Sequence, residues 1–204
     1  MIKNIIFDLG NVVVKLKWNK VIDKYAKKPE AKKILTEVIF DSEEWILLDL
    51  GTITKDYALS QMLSKLPQSL HDACKGIMTD WCEGLEINDN IIELLKNIRK
   101  NSYKTYILSN APLEIPEFLE NANLIQYFDG QVISAEEKVS KPDRKIYNIL
   151  LDRYNLIPEE SVFLDDKLEN IQAAIQVNIN GIVYDYKKHK EMLKQLDDLD
   201  VNYK

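Results

Sequence analysis

Hydrophobic and polar positions along the chain form short apolar runs separated by amphipathic segments. The runs have strand length and are rich in branched and aromatic residues, and they cover residues 5–7, 103–108, 130–134, 161–164 and 181–184. Apolar positions three and four residues apart predict helices over residues 91–100, 142–154 and 168–177, with a charged helix near the end of the chain. Strands that alternate with helices predict an α/β fold, in which helices flank a parallel sheet.

One block departs from this alternation. From about Trp18 to Trp81 the apolar residues follow only the helical period, and no strand is predicted. Because the block lies between the first and second predicted strands, we expect an all-helical insertion that covers the sheet as a cap. The predicted domains are an α/β core of residues 1–15 and 85–204 and a helical cap of residues 16–84.

The composition indicates a globular protein and argues against several classes of site. The chain has 204 residues, of which 46% are hydrophobic and 29% charged, as is typical of a globular domain. Cys74 and Cys82 do not form a C-x-x-C pair, which favours a reducing cytoplasm over a disulfide framework. His71 and His189 lie far apart in the sequence, which argues against a zinc site and against a Ser-His-Asp triad.

The charge distribution argues against nucleic acid or membrane partners. The net charge is −6, so the chain lacks the basic footprint of a nucleic-acid-binding protein. Residues 15–33 hold eight lysines, which are interpreted as a solvated helix face or, alternatively, as a basic rim that attracts an anionic substrate. No apolar run approaches the roughly 20 residues of a membrane span, and residues 1–10 do not resemble a signal peptide. We therefore expect a cytoplasmic protein.

Side chains that carry chemistry follow several of the predicted strands. In chain order they are Asp8, Ser109, Asn110, Lys141, Asp165 and Asp166. Each taken alone has an ordinary alternative as a helix cap, a surface lysine or a turn residue. Ligands of open parallel sheets bind beyond the carboxyl ends of the strands, so the ordered arrangement predicts one shared crevice.

The segments that carry these residues resemble the four motifs of the haloacid dehalogenase superfamily, whose members are mostly phosphatases. They read Ile-Ile-Phe-Asp8-Leu-Gly-Asn, Ile-Leu-Ser109-Asn110, Lys141-Pro142 and Phe-Leu-Asp165-Asp166-Lys-Leu-Glu-Asn170. The resemblance covers essentially the whole chain and implies the Rossmann-like fold of that superfamily with a small helical cap. Within it, the chain is most similar to the branch that contains bacterial α-D-glucose-1-phosphate phosphatases and the phosphatase domain of soluble epoxide hydrolase.

This resemblance implies a Mg²⁺-dependent phosphatase that hydrolyses a small phosphorylated metabolite, with a sugar phosphate as the expected substrate. Asp8 would attack phosphorus and form an aspartyl-phosphate, and Lys141 would neutralise the charge that Asp8 shares with the transferring group. Mg²⁺ would be held by Asp8, the backbone carbonyl of Gly10 and Asp166.

The resemblance also implies roles for the remaining motif residues. The Ser109 hydroxyl and the Asn110 backbone N–H would hold phosphate oxygens. Asp165 and Asn170 would orient the metal ligands. The oligomeric state is not predicted by any of these patterns.

Gly10 is a departure from the usual family pattern, which has a second Asp two residues after the nucleophile. That Asp protonates the leaving group and later activates water, and glycine has no side chain for this task. A metal-bound water or a residue of the cap would have to replace it. The cap residues considered are Trp18, Asn19, Trp45 and Asp49, of which the tryptophans are expected to be core aromatics.

Two other functions are compatible with the motifs. A 2-haloacid dehalogenase also uses an Asp nucleophile but needs no metal, and the paired acids Asp165 and Asp166 argue against it. A non-catalytic protein that binds a phosphorylated metabolite is suggested by Gly10. Metal-dependent turnover of an aryl phosphate, halide release from a haloacid, or phosphate binding without turnover would distinguish the three.

Overall fold

The computed structural model describes residues 1–204 and contains seven strands and eleven α-helices. The strands are β1 (Asn4–Phe7), β2 (Val14–Leu16), β3 (Leu85–Ile87), β4 (Lys104–Ser109), β5 (Gly130–Ile133), β6 (Ser161–Asp165) and β7 (Asn180–Val183). The helices are α1 (Trp18–Tyr25), α2 (Pro29–Ile39), α3 (Glu43–Asp49), α4 (Lys55–Ser64), α5 (His71–Asp80), α6 (Asp89–Lys100), α7 (Ile115–Asn121), α8 (Ser134–Glu137), α9 (Arg144–Tyr154), α10 (Leu168–Ile175) and α11 (His189–Asp198). Short 3₁₀ helices cover Gln68–Leu70, Trp81–Gly84, Ile125–Tyr127, Pro158–Glu160 and Tyr186–Lys188.

The main sheet has five parallel strands in the order β5-β4-β1-β6-β7. Strand β1 lies at its centre, where Phe7 pairs with Ile107 of β4 and with Leu164 of β6. All four residues of β1 are buried, as expected of a parallel strand whose two faces are both covered by helices. The predicted α/β fold with its parallel sheet is confirmed.

Alternate residues of β1 enter two different apolar clusters. Ile5 and Phe7 belong to a large cluster that continues into the helices between β2 and β3, whereas Ile6 packs with Phe163 and Tyr147 on the other face. This alternation follows from the pleat of a strand, which points successive side chains to opposite faces. The two clusters therefore pack against opposite faces of the same sheet.

Helices α1 to α5 lie between β2 and β3, which pair with each other as a separate antiparallel ribbon. In this ribbon Val14 pairs with Ile87 and Leu16 with Leu85. Strands of three residues are too short to show an alternating pattern, and the sequence analysis did not predict them. The ribbon ties the start of the helical segment to its end.

Some helix bounds differ from the expected ones for local reasons. Helix α9 begins at Arg144 rather than at Pro142, because the Asp143 carboxylate accepts a hydrogen bond from the backbone N–H of Lys145 and caps the helix there, at 2.9 Å. The short helices α7 and α8 were not predicted. Each helix of the structure is too short or too polar to cross a membrane.

Candidate active site

The carboxyl ends of three neighbouring strands bring the predicted residues together. Strand β1 is followed directly by Asp8, β4 ends at Ser109, and β6 ends at Asp165. Because β1 lies between β4 and β6 and all three run parallel, their last residues reach the same edge of the sheet. Asp8, Ser109 and Asp165 are buried there, with at most 8% of each residue exposed.

Lys141 joins two of these strand ends. Its Nζ lies 2.8 Å from Asp8 Oδ1 and 2.7 Å from Asp165 Oδ2, and it donates to the backbone carbonyl of Leu108 at 2.9 Å. The ammonium group has three protons, so each of these acceptors receives one. Burial lowers the pKa of Lys141, but the carboxylates of Asp8 and Asp165 outweigh burial and leave the pKa raised. Lys141 is therefore a fixed positive charge beside Asp8.

Asn110 positions the backbone of Lys141. The Asn110 Oδ1 accepts from the Lys141 backbone N–H at 2.8 Å, and the Asn110 Nδ2 donates to the Lys141 carbonyl at 2.8 Å. These two hydrogen bonds engage both the oxygen and the nitrogen of the Asn110 side-chain amide. The role predicted for Asn110 in phosphate binding therefore rests on its backbone N–H alone.

Asp8, Asp165 and Asp166 form a cluster of carboxylates, with one oxygen of each within 4.8 Å of the others. Asp165 is fully buried and engaged by donors, since the Asn170 Nδ2 reaches both its oxygens at 3.0 Å and the Lys167 backbone N–H reaches Oδ1 at 2.7 Å. Such a carboxylate has little capacity left for a metal ion.

Asp166 is placed differently from Asp165. It is half-buried, and its Oδ2 accepts one side-chain hydrogen bond, from Asn11 Nδ2 at 3.0 Å. Its other oxygen has no side-chain donor. Asp166 and Asp8 are thus the carboxylates of this cluster with capacity for a ligand, and Gly10 lines the same cavity.

The electrostatics of the cluster favour a bound cation. Burial raises the pKa of Asp8 to about 6, although Lys141 opposes the shift. Burial also raises the pKa of Asp166. A divalent cation would remove the repulsion among these groups, and a donor set made only of oxygen atoms suits a hard ion such as Mg²⁺. The residues present therefore fit the metal that the resemblance implies.

Two cavities adjoin at this edge of the sheet. A polar cavity is lined by groups that include Asp8, Asn11, Ser140, Lys141, Asp166 and Lys167. A smaller, largely apolar cavity is lined by residues that include Leu9, Trp18, Trp45, Trp81, Ser109 and Ile115. Gly10, Leu16, Asp49 and Asn110 line both. The polar cavity and the apolar cavity therefore lie side by side.

The tryptophans considered as cap residues contact other aromatic rings and also line the apolar cavity. Trp18 stacks on Phe40 with ring centroids 4.1 Å apart, and Trp45 contacts Trp81 edge to face at 5.3 Å. Trp45 is buried, as expected of a core aromatic. Trp18 and Trp45 nevertheless line the apolar cavity, whereas Asn19 lines neither cavity.

The sequence analysis missed two contributions to the site. Asn11 adopts a positive φ of 54°, which asparagine tolerates, and its side chain holds both Asp166 and the backbone N–H of Leu16, at 3.3 Å. The sequence analysis names Asp49 as a cap residue without assigning it to the site, and it lines both cavities. An acid within the apolar run Ile46 to Leu50 was the available signal.

Comparison with known proteins identifies the family. The haloacid dehalogenase-like hydrolase family matches residues 2–178. The chain is 30% identical over 185 residues, 88% of each protein, to the sesquiterpene phosphatase astK of Aspergillus oryzae. It is 28% identical over 195 residues, 85% of this chain and 87% of the relative, to the D-ribitol-5-phosphate phosphatase of Bacteroides thetaiotaomicron.

A solved structure supports the fold. A HAD family enzyme of Bacteroides thetaiotaomicron, in complex with magnesium and inorganic phosphate, matches with a TM-score of 0.72 and 23% identity. The match covers 92% of this chain and 96% of the other. With the family match over most of its length, this chain belongs to the haloacid dehalogenase-like hydrolases.

Proposed function

We propose that this hydrolase is a Mg²⁺-dependent phosphatase that cleaves a small phosphomonoester through an aspartyl-phosphate on Asp8. The observation that carries the proposal is the contact of Lys141 with Asp8 and Asp165, with Asp166 in the same carboxylate cluster. A carboxylate nucleophile, a fixed cation and oxygen ligands at one edge are the groups that phosphoryl transfer to an aspartate requires.

Asp8 performs the attack in this proposal. Lys141 binds its Oδ1, so the remaining oxygen is the one available to phosphorus. The ammonium charge offsets the repulsion between the carboxylate and the phosphate dianion and favours the charge that develops in the transition state. Water then attacks the same phosphorus, releases phosphate and restores the Asp8 carboxylate.

The other site residues bind and orient. Asp8, the Gly10 carbonyl and Asp166 would hold Mg²⁺, which supplies Lewis-acid stabilisation of phosphate oxygens when bound. The Ser109 hydroxyl and the Asn110 backbone N–H would hold phosphate oxygens. Asp165 keeps Lys141 in place, and Asn170 keeps Asp165 in place, at the distances given above.

We further propose that residues 16–84 act as a cap that selects the substrate, above a core of residues 1–15 and 85–204. Helices α1 to α5 lie within this segment, and Trp18, Trp45 and Asp49 from it line the apolar cavity beside Ser109. The chemical nature of this cavity should therefore decide which leaving group is accepted.

A sugar phosphate is the first candidate substrate. The polar cavity offers groups that can hydrogen-bond hydroxyls, including Asn11, Ser140 and Lys167. The Bacteroides relative named above acts on a phosphorylated sugar alcohol, as its name states. This supports a sugar phosphate as the expected substrate class.

An apolar phosphomonoester is the second candidate. The cavity lined by Trp18, Trp45 and Trp81 offers few partners for hydroxyl groups, and its apolar lining favours an apolar leaving group. The sesquiterpene phosphatase that shares 30% identity with this chain supports this class.

A substrate panel with and without Mg²⁺ tests the proposal. Sugar 1-phosphates, sugar 6-phosphates, an isoprenoid monophosphate, an aryl phosphate and a 2-haloacid are each assayed after chelation and after restoring Mg²⁺. We expect metal-dependent phosphate release from at least one phosphomonoester, and its chemical class then identifies the substrate. Metal-independent halide release would establish the dehalogenase alternative, and tight phosphate binding without turnover would establish the non-catalytic alternative.

The proposed compartment is the cytoplasm. Both cysteines are free, and Cys74 is fully buried, as in proteins kept under reducing conditions. Burial raises the pKa of both thiols to about 11, so they remain protonated and unreactive at neutral pH.

A further inference from the structure

Gly10 leaves the proposed reaction without a proton donor in the segment after β1 that carries the nucleophile. The expulsion of an alcohol from phosphorus needs a proton unless the leaving oxygen is weakly basic, and general acid help is worth roughly 10²–10⁴-fold. A donor must lie in the crevice and must not be held by other donors or cations. Asp165 and Lys141 fail this condition, because each is already committed to the other.

Asp49 meets the condition. It is the last residue of α3, its Oδ1 is buried, and this oxygen has no hydrogen-bond partner. The residue lines the polar cavity together with Asp8 and the apolar cavity together with Ser109. Asp49 therefore lies where the polar cavity, which would receive the phosphate, meets the apolar cavity, which would receive the leaving group.

The fold holds Asp49 in this position through its backbone. The Ser134 hydroxyl donates to the Asp49 carbonyl and also accepts from the Ala111 backbone N–H, at 2.9 Å. Two residues on, Gly51 has a φ of +68° and packs directly against the Ala135 carbonyl. These contacts fix the end of α3 to α8 and leave the carboxyl of Asp49 free.

We propose that Asp49 is the general acid and base of the reaction, in place of the acid that is absent at position 10. The inference rests on the proposed phosphatase function. In the first step the Asp8–phosphorus bond forms, the bond from phosphorus to the leaving oxygen breaks, and the proton of Asp49 passes to that oxygen to give the free alcohol. In the second step Asp49 accepts a proton from the attacking water as the Asp8–phosphorus bond breaks, which returns both residues to their starting states.

The surroundings of Asp49 are consistent with a carboxyl that carries a proton. Burial raises its pKa well above the ordinary value, with further raising by Asp8 and Glu114 and partial lowering by Lys167. On the two helices packed against α3, Lys55 of α4 pairs with Glu114 and Glu137 of α8 pairs with Arg153, and the remaining charged residues, Asp56 and Glu136, are acids. Asp49 thus has no cation committed to it.

The test is the dependence of kcat/KM on the leaving group in the full-length protein with Mg²⁺. A series of aryl and alkyl phosphates with increasing leaving-group basicity is compared for the unaltered chain, Asp49→Asn and Asp41→Asn. Asp41 is an exposed acid of the same helical segment and serves as the control. kcat/KM includes only steps up to release of the alcohol, so it isolates the first proton transfer.

For Asp49→Asn we expect a loss of roughly 10²–10⁴-fold on alkyl phosphates and only a few-fold loss on the most acidic phenols. We also expect a burst of phenol in this variant, because the second step loses its base. Asp41→Asn should match the unaltered chain throughout. An equal loss on every substrate, or none, would overturn the inference for Asp49, whereas no turnover of any phosphomonoester by the unaltered chain would overturn the proposed function itself.

Discussion

Lys141 supplies the positive charge that balances the carboxylates at the strand ends. Its side chain is 1% exposed, and its ammonium lies within 2.8 Å of two carboxylates. Without that cation, Asp8 and Asp165 would be buried next to each other and unpaired. Breaking a buried ion pair by removing one partner is costly, because the remaining charge stays desolvated.

Lys141→Met should therefore lower the free energy of unfolding by about 3–5 kcal/mol in the metal-free protein. Lys145→Met, an exposed lysine in the first turn of α9, should change it by less than about 0.5 kcal/mol. Urea unfolding of the chelated proteins at neutral pH measures both. Similar small effects of the two substitutions would contradict the charge balance described here.

Asp49→Asn should make the folded protein more stable at neutral pH. The ordinary pKa of this carboxyl is 3.8, and its folded value lies well above that. As the pH rises above about 4, the unfolded chain therefore loses this proton before the folded protein does, and the folded state loses stability. Asparagine removes that loss, so the gain should be absent below about pH 4 and should grow as the pH rises.

Thermal unfolding of Asp49→Asn and of the unaltered chain across this pH range measures the effect. A difference in Tm that is constant with pH would show that Asp49 does not titrate with a raised pKa. The expected gain in stability together with the expected loss of activity is the usual relation at functional sites, where unfavourable burial of an ionisable group serves the reaction.

At the scale of single residues, the sequence predicted positions better than contacts. Asp8, Ser109 and Asp165 could be predicted to meet, because strand ends of a parallel sheet share an edge. Two contacts depend instead on loop conformations, which the hydrophobic period of a sequence does not predict. They are the hydrogen bonds of the Asn110 side chain to Lys141 and of the Asn11 side chain to Asp166. Asp49 shows the same limit, since helical spacing does not tell what covers a helix face.

The end of α3 is the part of the proposed cap whose backbone geometry is most restrained. Gly51→Ala should lower the free energy of unfolding by about 1–3 kcal/mol, because φ there is +68° and a Cβ would overlap the Ala135 carbonyl. Gly10→Ala is the matched comparison, since a Cβ at Gly10 would meet Leu16 at an ordinary distance of 3.5 Å.

Gly10→Ala should change stability by less than about 1 kcal/mol. Chemical denaturation of the two variants side by side gives the comparison. An effect at Gly51 no larger than that at Gly10 would mean that the contact of α3 with α8 does not restrain the proposed cap.

Among the elements, the strands of the main sheet were predicted because each is an apolar run bounded by turn residues. The β2–β3 ribbon was not, because its pairing joins Val14 to Ile87 across the whole helical segment and each strand has three residues. The helices α7 and α8 are short and are determined by tertiary contacts rather than by an amphipathic pattern.

For the molecule as a whole, the concentration of acids at one edge predicts stabilisation by Mg²⁺. A ligand that binds only the folded state adds about 2.7 kcal/mol at a concentration 100 times its Kd. Tm should therefore rise with Mg²⁺ concentration. Asp166→Ala should raise the Kd for Mg²⁺ more than Asp165→Ala does, because Asp165 is already saturated by Lys141, Asn170 and the Lys167 backbone.

Asp165→Ala should instead lower the stability of the metal-free protein, since it leaves Lys141 with one carboxylate. Differential scanning fluorimetry across a Mg²⁺ titration separates the two effects. The reverse order of Kd values would contradict the assignment of Asp166 as a metal ligand.

The most direct test of the central claim is to trap the phosphoryl group on Asp8. The full-length protein with Mg²⁺ is mixed with a substrate labelled in its phosphate, quenched in acid within the first turnover, digested and analysed by mass spectrometry. We predict label on the peptide that contains Asp8, none after chelation, and none in Asp8→Asn, which should also lose phosphate release. Phosphate release that continues in Asp8→Asn, or turnover with no label on Asp8 at any quench time, would contradict the account.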